Sequence, residues 1–163
     1  MNPKETLVFD GREVFLEWIE SDKLPEGIDI SQVTGFCIDN NGQILIVKNK
    51  RGWGFPGGHP EKGETPIETL NREVSEEAYA KIIEPKLIGY TEVRDPENNS
   101  IEGKHYLQLR YLAKISELEE FHKEFETSER QLVSIDSLPQ HISWMTSPTG
   151  KGQLDTLLKN IKS

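Results

Sequence analysis

The sequence lacks the features that mark disulfide-stapled, secreted or membrane proteins. It contains one cysteine, Cys37, so no disulfide can form within the chain, and the apolar run VTGFCID around it favours a buried, inert thiol. No apolar run approaches the ~18 residues of a membrane span, and the N-terminus MNPKETLVFDG has no apolar signal-peptide core. These absences predict a soluble, cytoplasmic protein without a membrane partner.

Positive charge is also scarce. The chain has 19 Lys and Arg against 28 Asp and Glu, a formal net charge of -9, and its basic residues form no block. A protein that grips long nucleic acid through the phosphates needs such a block, so this partner class is not expected. A small phosphorylated ligand stays compatible with the charge, because a bound metal ion can reverse the local field.

Short apolar runs that alternate along 163 residues predict one α+β domain over 1–163, a mixed sheet with flanking helices. Asp10-Gly11 and Asn40-Asn41-Gly42 favour tight turns, each between two strand-like runs. Apolar residues that recur at steps of three or four predict two helices. The predicted elements are a hairpin over 7–18, a second hairpin within 33–48, strands within 86–94 and 104–115, and helices over 65–81 and 152–161.

The helix over 65–81 concentrates negative charge. Glu73, Glu76 and Glu77 lie at spacings of three and four residues, so their side chains share one face. Three like charges there repel, and Arg72, four positions before Glu76, offsets only one of them. A solvated acidic face is the simplest interpretation, but the repulsion then lowers the stability of the fold and nothing compensates for it.

The approach to this helix favours a second interpretation. Gly57-Gly58 lets the chain turn sharply and brings bare backbone beside the acidic face. Clusters of carboxylate oxygens suit Mg²⁺ or Mn²⁺, hard cations that also coordinate phosphate oxygens. The pattern therefore indicates a metal site with space for the phosphates of a substrate.

Residues 58–80 resemble the box of the Nudix hydrolase family, in its MutT-like form. Gly58 is followed after five residues by Glu64, and seven more lead to the run Arg72-Glu73-Val74-Ser75-Glu76-Glu77. The preceding WGFPG also resembles the usual approach to that box. The resemblance implies the Nudix fold, a mixed β-sheet sandwiched between α-helices, with its strand order over roughly 33–139.

One position departs from the box. The family's glycine near the helix end is Tyr79 in this chain. That glycine normally adopts a left-handed conformation, which costs a tyrosine on the order of 1 kcal/mol. The helix is therefore expected to continue for a further turn past Tyr79.

The resemblance also implies an activity, the hydrolysis of a diphosphate linkage in a nucleoside diphosphate derivative with Mg²⁺ or Mn²⁺ as cofactor. Glu73, Glu76 and Glu77 are the expected metal ligands. Glu64 is expected either to complement the helix dipole or to reach the metal, and the Gly57 carbonyl is a further candidate ligand. Such metals bind diphosphate oxygens and lower the pKa of an attacking water.

Other predicted site residues lie outside the helix. Arg72 is predicted to belong to the catalytic residues, as the partner of the carboxylates. The family often supplies one more carboxylate from a loop before the last strand, and this chain offers Glu126 and Glu129 there. We expect Glu129 to be the added metal ligand or the general base. The alternative is that both belong to a solvated acidic loop. The residues predicted to bind substrate are Gly58, Arg51 through phosphates, and Trp53 by stacking, although a core tryptophan is equally compatible.

Two other functions compete with the enzyme. A Nudix-like sensor or regulatory domain would bind a nucleotide without turnover, but it would be expected to lose carboxylates that this chain keeps. A purely structural domain leaves the charge clustering unexplained. The sequence leaves open the substrate, among nucleotide sugars, dinucleoside polyphosphates, oxidised nucleotides and capped RNA ends. It also leaves open whether the protein is a monomer or a homodimer, and whether the hairpin over 7–18 forms an interface or a lid.

Overall fold

The computed structural model describes residues 1–100 and 103–162, which form nine strands and three α-helices. Two short 3-10 helices, Ile135–Ser137 and Ser143–Thr146, flank the second α-helix. The strands are β1 (Lys4–Phe9), β2 (Arg12–Glu20), β3 (Asp29–Ile38), β4 (Gln43–Asn49), β5 (Gly52–Gly54), β6 (Gly57–Gly58), β7 (Ala80–Arg94), β8 (His105–Leu118) and β9 (Glu129–Ser134), and the helices are α1 (Pro66–Ala78), α2 (Leu138–His141) and α3 (Pro148–Ile161).

The N-terminal hairpin turns at the residues that the sequence indicates. Asp10 and Gly11 have φ values of 51° and 77°, the pair of positive angles that a tight two-residue turn requires. Strands β1 and β2 pair from Phe9 opposite Arg12 to Lys4 opposite Glu17, so the hairpin begins before residue 7, and β2 itself continues past residue 18 to Glu20. Strand β2 also pairs with β7, which joins the hairpin to the main sheet.

All nine strands belong to one mixed sheet. The order is β1-β2-β7-β8-β3-β4-β5, with β6 paired to β3 and β9 paired to β4. Strands β3 and β8 run parallel, and the other pairs are antiparallel. Of the connection between β7 and β8, residues 101 and 102 lie outside the described part of the chain.

Helices cover both faces of the sheet. On one face, Leu70 and Val74 of α1 pack with sheet residues such as Leu109. On the other face, Leu157 of α3 packs with Phe36 and its neighbours. The expected α+β architecture, a mixed sheet between helices, is confirmed. None of the helices in the described ranges combines the length and apolarity that crossing a membrane needs.

Cys37 lies in the core of the sheet. Its side chain is fully buried, and this burial raises the pKa of the thiol to about 12. A thiol with so high a pKa forms almost no thiolate at neutral pH, as expected for an inert cysteine.

The C-terminal helix begins at Pro148, four residues before its expected start at 152. Ser147 caps it, because its hydroxyl accepts a hydrogen bond from the Gly150 amide at 3.2 Å. Glycine disfavours helix in the sequence, but a Cβ at Gly150 would collide with the carbonyl oxygen of Trp144. Close packing explains a glycine where propensity argues against one.

The expected continuation of α1 past Tyr79 is wrong. The helix ends at Ala78, and Tyr79 takes the left-handed conformation, with φ 51° and ψ 47°. Its ring makes aromatic contacts at centroid distances of 5.4 Å to Phe121, 5.5 Å to His122 and 6.5 Å to Phe125. Aromatic pairs contribute roughly 0.5–1.5 kcal/mol each, so these contacts offset a backbone cost on the order of 1 kcal/mol.

Replacing Tyr79 by glycine is therefore expected to destabilise the fold. Tyr79→Gly relieves the left-handed strain but removes all three ring contacts, so the melting temperature should fall by several degrees. Tyr79→Phe is the matched control, since the Tyr79 hydroxyl is buried without a hydrogen-bond partner in the described ranges. We expect this variant to melt at or slightly above the parent temperature. A higher melting temperature for Tyr79→Gly would show that strain outweighs the ring contacts.

Candidate active site

A groove of about 1850 Å³ extends from the sheet to the acidic face of α1. Its floor is formed by polar residues of β3, β7 and β8. The acidic face of α1 with the Gly57-Gly58 corner also lines the groove, as do Trp144 and the start of α3. Val14 and Leu16 of the N-terminal hairpin also line the groove, so the hairpin borders the candidate site.

Local capping fixes the start of α1. The Thr65 hydroxyl accepts a hydrogen bond from the Glu68 amide at 3.2 Å, and the Glu68 carboxylate accepts one from the Thr65 amide at 2.9 Å. Pro66 follows in the first turn, where its missing N–H is not needed. This capping box fixes the N-terminal end of the helix that carries the acidic face.

Arg72 connects the acidic residues of the box. Its Nε and Nη2 donate to the Glu64 carboxylate at 2.7 and 3.0 Å, and its Nη1 lies 2.7 Å from Glu73 and 3.4 Å from Glu76. Hydrogen bonds from Arg72 lower the pKa of Glu64 to about 2. The Glu64 carboxylate is thus held by its hydrogen bonds with Arg72, and Glu64 does not line the groove.

Glu73 lies against the glycine corner. A Cβ on Gly58 would come within 2.5 Å of the Glu73 carboxyl group, so only glycine leaves this carboxylate its place. Burial raises the pKa of Glu73 although the Arg72 guanidinium opposes that shift. The two box residues Gly58 and Glu73 therefore depend on one another.

Glu77 is the most buried of the three carboxylates on the acidic face of α1, with 9% of its surface exposed. It accepts a hydrogen bond from the Gly57 amide at 2.7 Å. Burial raises its pKa to about 7, and the charges of Glu73, Glu126 and Glu76 add to that rise. The folded chain disfavours the ionised form of Glu77 when no cation is bound.

Glu126 and Glu129 lie in different places. The charge of Glu126 raises the pKa of both Glu73 and Glu77, and Glu126 lines the same groove. The neighbouring Thr127 hydroxyl donates to the Glu77 carbonyl oxygen at 2.6 Å, which ties the loop to the end of α1. Glu129 begins β9 instead, 3.8 Å from Lys48, and lines a separate cavity of about 410 Å³.

Arg51 and Trp53, the two residues before the box that are predicted to bind substrate, also lie in different places. Arg51 lines the main groove, whereas Trp53 faces the smaller cavity with Lys48 5.9 Å from its ring centroid. Phe55 and Trp144 form an aromatic pair in the main groove, with ring centroids 6.0 Å apart, and Phe9, Tyr106 and Phe125 line it too. Neither stood out in the sequence, since Phe55 reads as part of the glycine-rich turn and Trp144 comes 86 residues after Gly58.

The acidic cluster of Glu73, Glu76, Glu77 and Glu126 is chemically suited to a divalent cation. Within residues 1–100 and 103–162, no three His, Cys, Asp or Glu side chains converge into a closed metal cage. Arg72 and the Gly57 amide each donate a hydrogen bond to a carboxylate of this cluster. The donors are all oxygens, which suits Mg²⁺ or Mn²⁺. Burial, with a smaller contribution from neighbouring carboxylates, raises the pKa values of Glu73 and Glu77.

Comparison with known proteins places this site in context. The family model of the NUDIX domain matches residues 30–150. The Bacillus subtilis pyrophosphohydrolase BsRppH is 26% identical, with 91% of this chain and 90% of that chain covered and a TM-score of 0.70. A NUDIX hydrolase from Nitrosomonas europaea is 20% identical, with 82% and 90% covered and a TM-score of 0.64.

A third similar structure holds ligands. It is a bifunctional NMN adenylyltransferase/ADP ribose pyrophosphatase from Francisella tularensis, complexed with AMP and a manganese ion. It is 20% identical, with 84% of this chain and 43% of that chain covered and a TM-score of 0.55. No curated protein sequence matches the chain.

Proposed function

The chain belongs to the Nudix family and is a pyrophosphohydrolase acting on nucleotide derivatives, and we propose that it cleaves the diphosphate linkage of a nucleoside diphosphate derivative with Mg²⁺ or Mn²⁺. The observation that carries the proposal is the acidic cluster at the groove. Glu73 and Glu77 have raised pKa values there, and Arg72 compensates only part of the charge. A cation bound among these carboxylates removes the remaining repulsion.

The ligands we assign are Glu73, Glu76 and Glu77, with the Gly57 carbonyl beside them. When bound, the metal would neutralise phosphate charge and lower the pKa of the attacking water. Arg72 orients Glu73 and Glu76 through its guanidinium group. Glu64 anchors Arg72 from the far side, so its contribution is to position the catalytic groups rather than to bind metal.

The remaining roles follow from the groove. Glu126 lines it and interacts electrostatically with the buried carboxylates, so we assign the general base or added ligand to Glu126 rather than to Glu129. Arg51 lines the groove and contacts phosphates of the substrate. Gly58 provides backbone close to them. We assign stacking on a base to Phe55 and Trp144, which line the groove, rather than to Trp53.

A panel of candidate substrates tests the function. Nucleotide sugars, dinucleoside polyphosphates, oxidised nucleoside triphosphates and capped RNA ends would each be incubated with Mg²⁺ or Mn²⁺. We expect at least one class to yield two phosphorylated products that chromatography resolves. Ligands that bind while no member of the panel is cleaved with either metal would favour a nucleotide sensor and refute the proposal.

Matched glutamine substitutions separate the two loop carboxylates. Glu126→Gln should lower kcat by about 100-fold, the usual contribution of a positioned general base. Glu129→Gln removes the same charge three residues away and should leave kcat within about twofold, since surface charges outside a site contribute little. Steady-state kinetics of both variants would decide, and a greater loss in Glu129→Gln would restore that residue as the base.

A further inference from the structure

Five polar residues form a continuous patch on the sheet face at the bottom of the groove. We call it the polar floor, and it consists of Gln32, Thr34, Thr91, Gln108 and Arg110. Cross-strand register places Thr34 opposite Arg110, and Gln108 opposite both Gln32 and Thr91. Residues opposite each other or two apart on a strand share a face, so all five side chains point into the groove.

Arg110 is a buried cation without an acidic partner. It is 5% exposed, and none of the described Asp or Glu side chains forms an ion pair with it. Its Nε donates to the Gln153 side-chain oxygen at 2.9 Å, and its Nη1 donates to the Gln32 side-chain oxygen and the Leu109 carbonyl, both at 3.1 Å. Neutral oxygens thus orient the guanidinium and leave its charge uncompensated.

The Trp144 ring and the burial of the side chain both shape the surroundings of the Arg110 guanidinium group. The guanidinium carbon of Arg110 lies 5.8 Å from the Trp144 ring centroid, a cation–π arrangement at the wall of the groove. Burial lowers the pKa of Arg110 to about 10, so the group keeps its proton at neutral pH. A buried charge held only by neutral groups is costly unless an anion joins it.

Two hydroxyl groups of the polar floor have no partner. Thr34 is 4% exposed and Thr91 is 2% exposed, yet neither hydroxyl oxygen has a hydrogen bond with any described residue. An orphaned buried hydroxyl costs roughly 1–3 kcal/mol, so such groups are rare in a fold that gains nothing from them. Both residues line the groove, and their hydroxyl oxygens are buried beneath its surface.

The polar floor and the acidic cluster are neighbours. Thr34 is paired with Gly57 on one side and with Arg110 on the other, and the Gly57 amide is bonded to Glu77. Adjacent strands lie about 4.8 Å apart, so two strand spacings, roughly 10 Å, separate the backbone of Arg110 from that of Gly57. One small substrate spans this distance.

We propose that the polar floor is a second phosphate subsite, in which Arg110, Thr34 and Thr91 bind a phosphate group of the substrate without the help of metal. The subsite rests on the proposed function, because it takes a phosphate beyond those that the acidic cluster engages through its cation. A planar guanidinium with an open edge suits phosphate oxygens, and hydroxyl groups donate to the same oxygens. The same chemistry would hold free inorganic phosphate.

Binding without metal tests the subsite directly. Inorganic phosphate and AMP would each be titrated calorimetrically into the protein in excess EDTA. We expect both to bind the parent protein. Thr91→Val keeps the shape of the side chain and should weaken both by about tenfold, because one hydrogen bond to an anion is lost. It should also melt at or above the parent temperature, since an unpartnered hydroxyl is removed.

Thr156→Val is the matched control. The Thr156 hydroxyl is buried outside the groove and accepts a hydrogen bond from the Trp18 indole at 2.9 Å. We expect this variant to melt at a lower temperature and to bind phosphate and AMP as the parent does. The two variants thus separate the polar floor from buried threonines in general.

Arg110→Lys provides a second measurement, since it keeps the charge but loses the planar fork. We expect binding of phosphate in EDTA to weaken by more than about tenfold. With metal present, Thr91→Val should raise KM for the substrate while kcat stays within about twofold, because the subsite binds ground and transition states alike.

The outcomes distinguish this proposal from the proposed function. If the parent binds neither phosphate nor AMP in EDTA, or if Thr91→Val binds both as tightly as the parent, the subsite is refuted while hydrolysis stands. If AMP alone binds, the subsite recognises the nucleotide rather than its phosphate and the proposal fails. Absent hydrolysis of the substrate panel would refute the proposed function and leave the titrations interpretable.

Discussion

Chelation of divalent metal is expected to abolish hydrolysis completely, and added Mg²⁺ or Mn²⁺ should restore it. Among residues 1–100 and 103–162, Arg72 is the cation that forms ion pairs with the acidic cluster, and its guanidinium already contacts Glu64, Glu73 and Glu76. Without a cation, the phosphates of the substrate would meet carboxylates rather than a Lewis acid, and no water would be activated. The rate of product formation would be measured in EDTA and after back-titration with each metal.

A structural control accompanies that experiment. The two hydrophobic core clusters do not depend on the acidic cluster, since none of its carboxylates belongs to them. Circular dichroism in EDTA should therefore show a folded protein with a cooperative thermal transition. Turnover that persists undiminished in excess chelator would refute the metal mechanism, whereas unfolding in EDTA would show that metal maintains the fold.

Glu77→Gln is expected to lower turnover by at least ~100-fold, because a ligand to an ion that stabilises the transition state is lost. The same change should not weaken the metal-free fold. An amide keeps the shape of the side chain and an oxygen that can accept from the Gly57 amide. It also removes a buried charge next to Glu73, so the melting temperature should stay constant or rise by roughly 2–4 °C, which corresponds to about 1 kcal/mol in a protein of this size.

Glu120→Gln is the matched control, because Glu120 is exposed in the loop after β8 and the net charge changes equally. Both variants would be melted with and without Mg²⁺, and their hydrolysis rates measured. The parent and Glu120→Gln should gain stability from Mg²⁺, and Glu77→Gln should gain less. A Glu77→Gln enzyme that works near the parent rate would mean that the acidic face is only solvated, and the assignment of its metal ligands would fail.

Local features of the site could be predicted from sequence because they depend on neighbours in the chain. The spacing of Glu73, Glu76 and Glu77 puts them on one helix face whatever surrounds the helix. Asp10-Gly11 determines its turn in the same way, since few residue pairs accept two positive φ angles. These elements follow from backbone geometry within a few residues.

Contacts between distant segments decided the rest. Tyr79 leaves the helix because rings more than 40 positions later pack on it, and Glu126 reaches the groove because the same loop is tied to Glu77. Arg110 looks like a solvent-facing position in an alternating strand, yet the start of α3 covers it. Alternation shows which side chains share a face of a strand, but only the packing of remote elements determines whether that face meets solvent, core or substrate.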